Sequence, residues 1–196
     1  MITLKDNEKQ IVVEKVKPLL KKGKGKEVVK VLMQEGGYGR NVMCWLMEHG
    51  VNILGGMERI PNDFFDGRKI SQVVIPSTIK YIGEGAFEDC AELVKLTIEP
   101  GVKEISDAAF RNTKIAKVVI PDTIESLGDY VFAYCSNLLE VYLPDSVTYL
   151  PEHIFQGCPD SLTIFLNSRK GMPDYLQLRV PKTQGDWYKK HVQIKR

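Results

Sequence analysis

The sequence predicts an α+β repeat protein, a short solenoid of five coils of 22–23 residues with a helical cap at its amino terminus. Two observations carry the solenoid. From Met57 onward one pattern recurs five times: an apolar pair three residues apart, a Phe, a turn of small or polar residues, and a short alternating strand. Its period runs 22, 23, 22, 23 and about 23 residues, and a fixed period of roughly 20–50 residues is the mark of stacked repeats. A third observation delimits the array: residues 1–56 lack the pattern and space their apolar residues as helices do.

In chain order, Ile11, Val12, Val16, Leu19 and Leu20 fall on one helical face, and Pro18 predicts a kink or an early end. A second helix is expected over 27–35, carrying Val28, Val29, Leu32 and Met33. Gly36-Gly37-Tyr38-Gly39 reads as its breaker. Asn41 is the expected cap of a third helix carrying Val42, Met43, Trp45, Leu46 and Met47, with His49 and Gly50 at its carboxyl end. Three short helices suit a cap, because the first coil of a solenoid must have its apolar edge covered.

The coils follow at 57–78, 79–101, 102–123, 124–146 and 147–169. Their apolar pairs are Met57/Ile60, Ile79/Ile82, Val102/Ile105, Ile124/Leu127 and Val147/Leu150. The aligned Phe residues are Phe65, Phe87, Phe110, Phe132 and Phe155. Each strand then points two apolar residues inward, from Val73 and Ile75 in the first coil to Ile164 and Leu166 in the last. One such unit has too small an apolar edge to fold alone, whereas stacked units bury continuous columns. Cys90, Cys135 and Cys158 share one repeat position and are expected as a buried column of thiols.

The strings VVIPST, VVIPDT and VYLPDS, with GAFEDC, YVFAYC and HIFQGC, carry a resemblance to the BspA-type leucine-rich repeat family over about residues 57–166. The resemblance implies a short right-handed leucine-rich-repeat solenoid used for protein contacts, often on cell surfaces. Yet Ile11–Leu20 is interrupted by Glu14, Lys15, Lys17 and Pro18, so neither an export signal nor a membrane span is read there. With four Cys and no disulfide framework, a cytoplasmic setting or a virus particle is expected. Residues 57–169 form the expected solenoid domain, with 1–56 a helical cap and 170–196 a basic tail whose Met172, Tyr175, Trp187 and Tyr188 suit a closing cap.

Charge is segregated along the chain. Residues 1–50 hold 10 basic and 6 acidic side chains, 51–166 hold 9 and 17, and 167–196 hold 8 and 2. An acidic solenoid between basic ends steers partners by charge or attracts its own ends. The run Lys21-Lys22-Gly23-Lys24-Gly25-Lys26 suggests phosphate contacts through Lys21, Lys22, Lys24 and Lys26, and with the basic tail an alternative nucleic-acid-associated role for the amino-terminal helical domain. A solvated loop explains the same run. It is no phosphate-binding P-loop, since no Ser or Thr follows a Gly-Lys.

No catalytic residue, cofactor or metal is assigned. Cys44 with His49 and His153 with Cys158 have spacings that two zinc-ligand pairs would use, but they lie in opposite ends of the array. Glu84, Glu88, Asp89, Asp107, Asp129 and Glu152 are read as solvated turn residues on a flat-sided slab rather than a carboxylate pair.

Partner binding is assigned to the outward side of the strands. Stacking aligns Val74, Thr97, Val119, Tyr142 and Phe165 in one ladder, beside a second of Gln72, Lys95, Lys117, Glu140 and Thr163. Aromatic side chains on a solvent face are interface anchors. The expected function is a non-enzymatic protein-protein interaction module that presents this ladder, as a viral or bacterial factor that binds or blocks a host protein or sits in an assembly.

Overall fold

The protein, seen in a computed structural model that describes residues 11, 14–19, 22, 24–34, 37–167 and 190–195, is a solenoid of about five turns behind a few helices. Residues 14–19 are helical through Pro18, and backbone bonds from the Lys22 and Lys24 N–H groups to the Leu19 carbonyl close the run. Helix α1 spans Gly25–Gln34 and α2 spans Gly37–Glu48. The expected cap at Asn41 is therefore corrected: α2 begins four residues earlier, and Gly37, Tyr38 and Gly39 form its first turn. Glycine is a poor helix former. The close approach of α1 overrides that preference, because a Cβ on Gly39 would collide with the Leu32 carbonyl. At the other end, Gly50 takes φ 77° while the Val51 and Gly50 N–H groups bond back to Leu46 and Met47, the left-handed stop that the sequence suggests.

After a 3-10 turn (Leu54–Gly56), the first four coils each contribute one short and one longer strand to two parallel stacks, and the fifth contributes a longer strand alone. Two-residue strands β1 (Arg59–Ile60), β3 (Tyr81–Ile82), β5 (Glu104–Ile105) and β7 (Ser126–Leu127) stack in that order. The longer strands are β2 (Gln72–Ile75), β4 (Lys95–Ile98), β6 (Lys117–Val119), β8 (Glu140–Pro144) and β9 (Thr163–Asn167). Strands β2 and β4 pair; β6, β8 and β9 pair; and β4 lies beside β6 without a paired register. A last strand, β10 (Val192–Lys195), pairs in parallel with β9. Met172, Tyr175, Trp187 and Tyr188, expected to close the final coil, lie outside the described residues.

Between the two sheets the turn segments stack by hydrogen bonds from coil to coil. The N–H groups of Phe65, Phe87, Phe110 and Phe132 donate to Ala86, Ala109, Val131 and Ile154 at 2.8–3.0 Å. This geometry needs left-handed backbone at two repeat positions: Asp63, Gly85, Ala108 and Tyr130 at one, and Gly67, Asp89, Asn112, Tyr134 and Gly157 at the other. Glycine, Asn and Asp accept that region readily, whereas Ala108 and Tyr134 are held in it by N–H bonds to the next coil and Tyr130 by its N–H bond to the Asp129 carboxylate.

Inside, Phe65, Phe87, Phe110, Phe132 and Phe155 form one stacked column, with rings nearly parallel and centroids 5.0, 5.4, 5.8 and 6.2 Å apart along the array. The cysteine column lies beneath the turns as expected. The Sγ of Cys90, Cys135 and Cys158 donate to the carbonyls of Phe65, Phe110 and Phe132, each one coil back, at 3.0, 3.3 and 3.1 Å. Burial pushes the Cys90 and Cys158 thiols up to about 12, so they remain protonated donors. In the third coil Thr113 occupies the same position, bonding Phe110 O at 3.0 Å and lying 3.2 Å from the Cys135 sulfur. Thr113 thus bonds the carbonyl of its own coil, which Cys135 also uses, while the Phe87 carbonyl one coil back accepts the Cys90 N–H at 3.3 Å.

Candidate functional site

The outward ladder is built by strand alternation. In β2 and β4 exposure alternates with burial residue by residue, so Val74 and Thr97 face out while Val73, Ile75, Leu96 and Ile98 face in. Register pairs Val74 with Thr97, and Val119 with Tyr142 and Tyr142 with Phe165. The sequence-derived ladder is thus a set of spatial neighbours, divided between Thr97 and Val119. Val74 is 41% and Val119 54% exposed, high for apolar side chains on a regular strand. Val94 and Leu139, which the sequence reading did not single out, are also 52% and 47% exposed, each one residue before a strand. The signal that could have found them is their shared place at the start of each strand, where alternation gives way to a corner.

Toward the carboxyl end the ladder becomes aromatic. The Tyr142 and Phe165 rings stack with centroids 4.7 Å apart. Phe165 is half-buried and is not the last rung, because β10 pairs Gln193 opposite it. The Lys117 ammonium lies 4.5 Å over the Tyr142 ring and 2.9 Å from a Glu140 carboxylate oxygen, to which the Tyr142 hydroxyl also donates at 3.1 Å. The Glu140 hydrogen bond holds the Lys117 ammonium above the usual lysine value. One charge pair in the second ladder is therefore spent internally, against an aromatic face. Lys95 stands exposed across from Gln72.

Ring spacing differs between the outward and inward sides of the strands. Between the fourth and fifth coils, rings on the strand side are 4.7 Å apart (Tyr142 and Phe165), while rings in the Phe column are 6.2 Å apart (Phe132 and Phe155).

The turn side departs from the expected flat slab. An open polar groove there is lined by Asn62, Glu84, Glu104, Ser106, Asp107 and Gly128. A Cβ at Gly83 would lie 2.6 Å from the Asn62 side-chain oxygen and 2.7 Å from its backbone nitrogen, so glycine there lets the first two coils pack closely. The groove's polar groups serve the stack: Asn62 Oδ1 accepts from Glu84 N–H at 3.2 Å and Asp107 Oδ1 from Asp129 N–H at 2.8 Å.

Further along, Asp129 accepts the backbone N–H groups of His153 at 2.8 Å and Tyr130 at 3.0 Å, and lies 3.0 Å from His153 Nδ1. Partial burial pushes its carboxyl up, but the bonds from His153 and Tyr130 outweigh it and leave the group below the ordinary value of 3.8. A carboxyl lowered in the folded state stabilises the fold above its unfolded value, and that contribution is lost as pH falls through the folded one. The stability difference between the parent and Asp129→Asn is therefore expected to shrink as pH falls from about 5 to about 2. Thermal melts of both proteins across that range check it, and a constant difference would contradict it.

The Cys and His residues have separate partners. Cys44 Sγ lies 3.5 Å from the Phe64 carbonyl, while His49 bonds the Trp45 carbonyl at 2.8 Å. His153 faces Asp129, and Cys158 faces Phe132 O. Among the described residues no group of three or more His, Cys, Asp and Glu is arranged to hold a metal ion. Of the lysine run, Lys21 lies outside the described residues, Lys22 and Lys26 are exposed, and Lys24 is paired with Glu27 at 2.8 Å. No helix among the described residues is long and apolar enough to cross a membrane.

The sequence pattern of the BspA type Leucine rich repeat region matches residues 58–173, in six copies. Among solved structures the chain is similar to the pneumococcal vaccine antigen PcpA, with a TM-score of 0.54 and 17% identity over 71% of this chain and 38% of that one. It is also similar to a leucine rich cell surface protein from Faecalibacterium prausnitzii (TM-score 0.46, 18% identity, 59% and 42% covered). A third resemblance is to the T. pallidum leucine rich repeat protein (TM-score 0.46, 21% identity, 70% and 78% covered). The chain spans less than half the length of the first two. No curated protein matches it.

Proposed function

Since the chain belongs to the BspA-type leucine-rich repeat family, whose repeats typically mediate protein-protein interactions and are generally non-enzymatic, we propose that it is a binding module acting through its outward strand ladder. The observation that carries this reading is an apolar, partly aromatic strip on the outward sheet face, with Val119 54% exposed beside the Tyr142 and Phe165 stack. Exposed apolar surface of this kind is costly to a monomer and marks an interaction site. Val74, Thr97, Lys95, Lys117 and Glu140 complete the surface. It acts by preformed complementarity, with no bond-making step. In this reading residues 1–56 cap the array, 57–169 form the binding solenoid, and 170–196 form a basic end. Support for the cap comes from Arg40, whose Nε donates to Phe64 O at 3.1 Å and whose guanidinium sits 5.4 Å over the Phe64 ring of the first coil.

The test is affinity capture from cell lysate with the intact chain and with a Val119→Asp, Tyr142→Ala double variant. Both positions are outside the core, so melting temperature is expected to change little while specific capture is lost. Equal capture by the two proteins overturns the reading.

A further inference from the structure

Two features of the ladder narrow the chemistry of its partner, and the inference rests on the reading of that ladder as the partner surface. The first is spacing. Tyr142 and Phe165 stack at 4.7 Å, and successive rungs of a parallel sheet stand about 4.8 Å apart. A helix lying along the ladder, across the strands, offers same-face side chains three or four residues apart, at axial steps of about 4.5–6 Å. Each helical turn thus meets one coil. An extended peptide repeats its same-face side chains every ~6.6 Å and falls out of step within two rungs. Five rungs span about 19 Å, the length of roughly 13 helical residues.

The second feature is charge. On the strand-start side of the aromatic stack, Lys117 is already neutralised by Glu140 at 2.9 Å. At the strand ends, Asp122 and Asp145 stand exposed, in the same coils as Val119 and Tyr142. Their turns are closed by Ile124 N–H to Pro121 O at 3.2 Å and Val147 N–H to Pro144 O at 3.1 Å, bonds that do not use the carboxylates. The surface is therefore apolar along its middle and anionic along one margin.

We infer that the ladder receives an amphipathic α-helix lying across the strands, its apolar stripe on Val119, Tyr142 and Phe165 and a Lys- or Arg-bearing flank against Asp122 and Asp145. Helix-in-groove recognition uses anchors spaced i, i+4 and i+7, which the rungs match.

The experiment is a selection of displayed random 16-residue peptides on the intact chain, keeping only binders lost on the Val119→Asp, Tyr142→Ala variant. The expected binders carry apolar residues at helical spacing with Lys or Arg on one flank, and gain helical circular dichroism in the complex. They lose at least ten-fold affinity on Asp122→Lys with Asp145→Lys, and regain it when their basic flank is changed to Glu. Ladder-dependent binders that are extended, that lack a basic flank or that ignore the charge reversal overturn the inference, as does a selection yielding no ladder-dependent binder. These outcomes are separate from the lysate capture, which asks only whether Val119 and Tyr142 hold a partner of any shape.

Discussion

Phe110→Ala is expected to destabilise the fold by about 3–5 kcal/mol, the range for deleting a buried aromatic side chain. Phe110 is fully buried and stacks on both sides, 5.4 Å from Phe87 and 5.8 Å from Phe132. Its backbone is tied as well: its carbonyl accepts from Thr113 and Cys135, and its N–H donates to Val131. The hydrogen-bonded turns therefore limit collapse into the cavity, and a cavity that cannot collapse keeps its full cost. In a solenoid each coil contacts only its neighbours, so a void in the third coil weakens both of its interfaces and divides the array. Urea unfolding measures this. With a slope near 2 kcal/mol per M, the midpoint is expected about 2 M lower. A shift under roughly 0.5 M would show that the neighbouring coils close over the gap.

Gly39→Ala is expected to cost about 1–3 kcal/mol, although alanine ordinarily improves a helix. The added Cβ would be driven into the Leu32 carbonyl, which is backbone and cannot rotate aside. Leu32 is among the last four residues of α1, whose carbonyls have no acceptor role left within the helix and so point at the next segment. Separating α1 from α2 would disturb the packing of Val28 and Leu32 with Val42, Met43 and Leu46, all of them buried. The measurement is the thermal midpoint together with hydrogen exchange in α1 and α2. Stabilisation by the substitution, the outcome helix propensity alone would give, would show that the two helices separate at no cost.

These expectations differ in how far they are legible in sequence. The Phe column, the inward Val, Ile and Leu residues and the Cys column follow from period and alternation, since both properties repeat along the chain before any long-range contact is known. The pairing of Val119, Tyr142 and Phe165 follows for the same reason: equal coil lengths imply equal register. The left-handed positions at Ala108, Tyr130 and Tyr134 do not follow, because nothing local favours them. Thr113 in the place of a cysteine is similarly hidden, since the two share hydrogen-bonding capacity at the Phe110 carbonyl rather than identity.

By itself the sequence determined which side chains are inside and which lie on the outward ladder, because inside and outside are set by spacing between near neighbours. Only the tertiary structure decided where α2 begins and that Lys117 is committed to Tyr142 and Glu140. Each of these depends on how closely distant segments approach. That distance is set by the packing of whole coils and helices, and no local pattern encodes it.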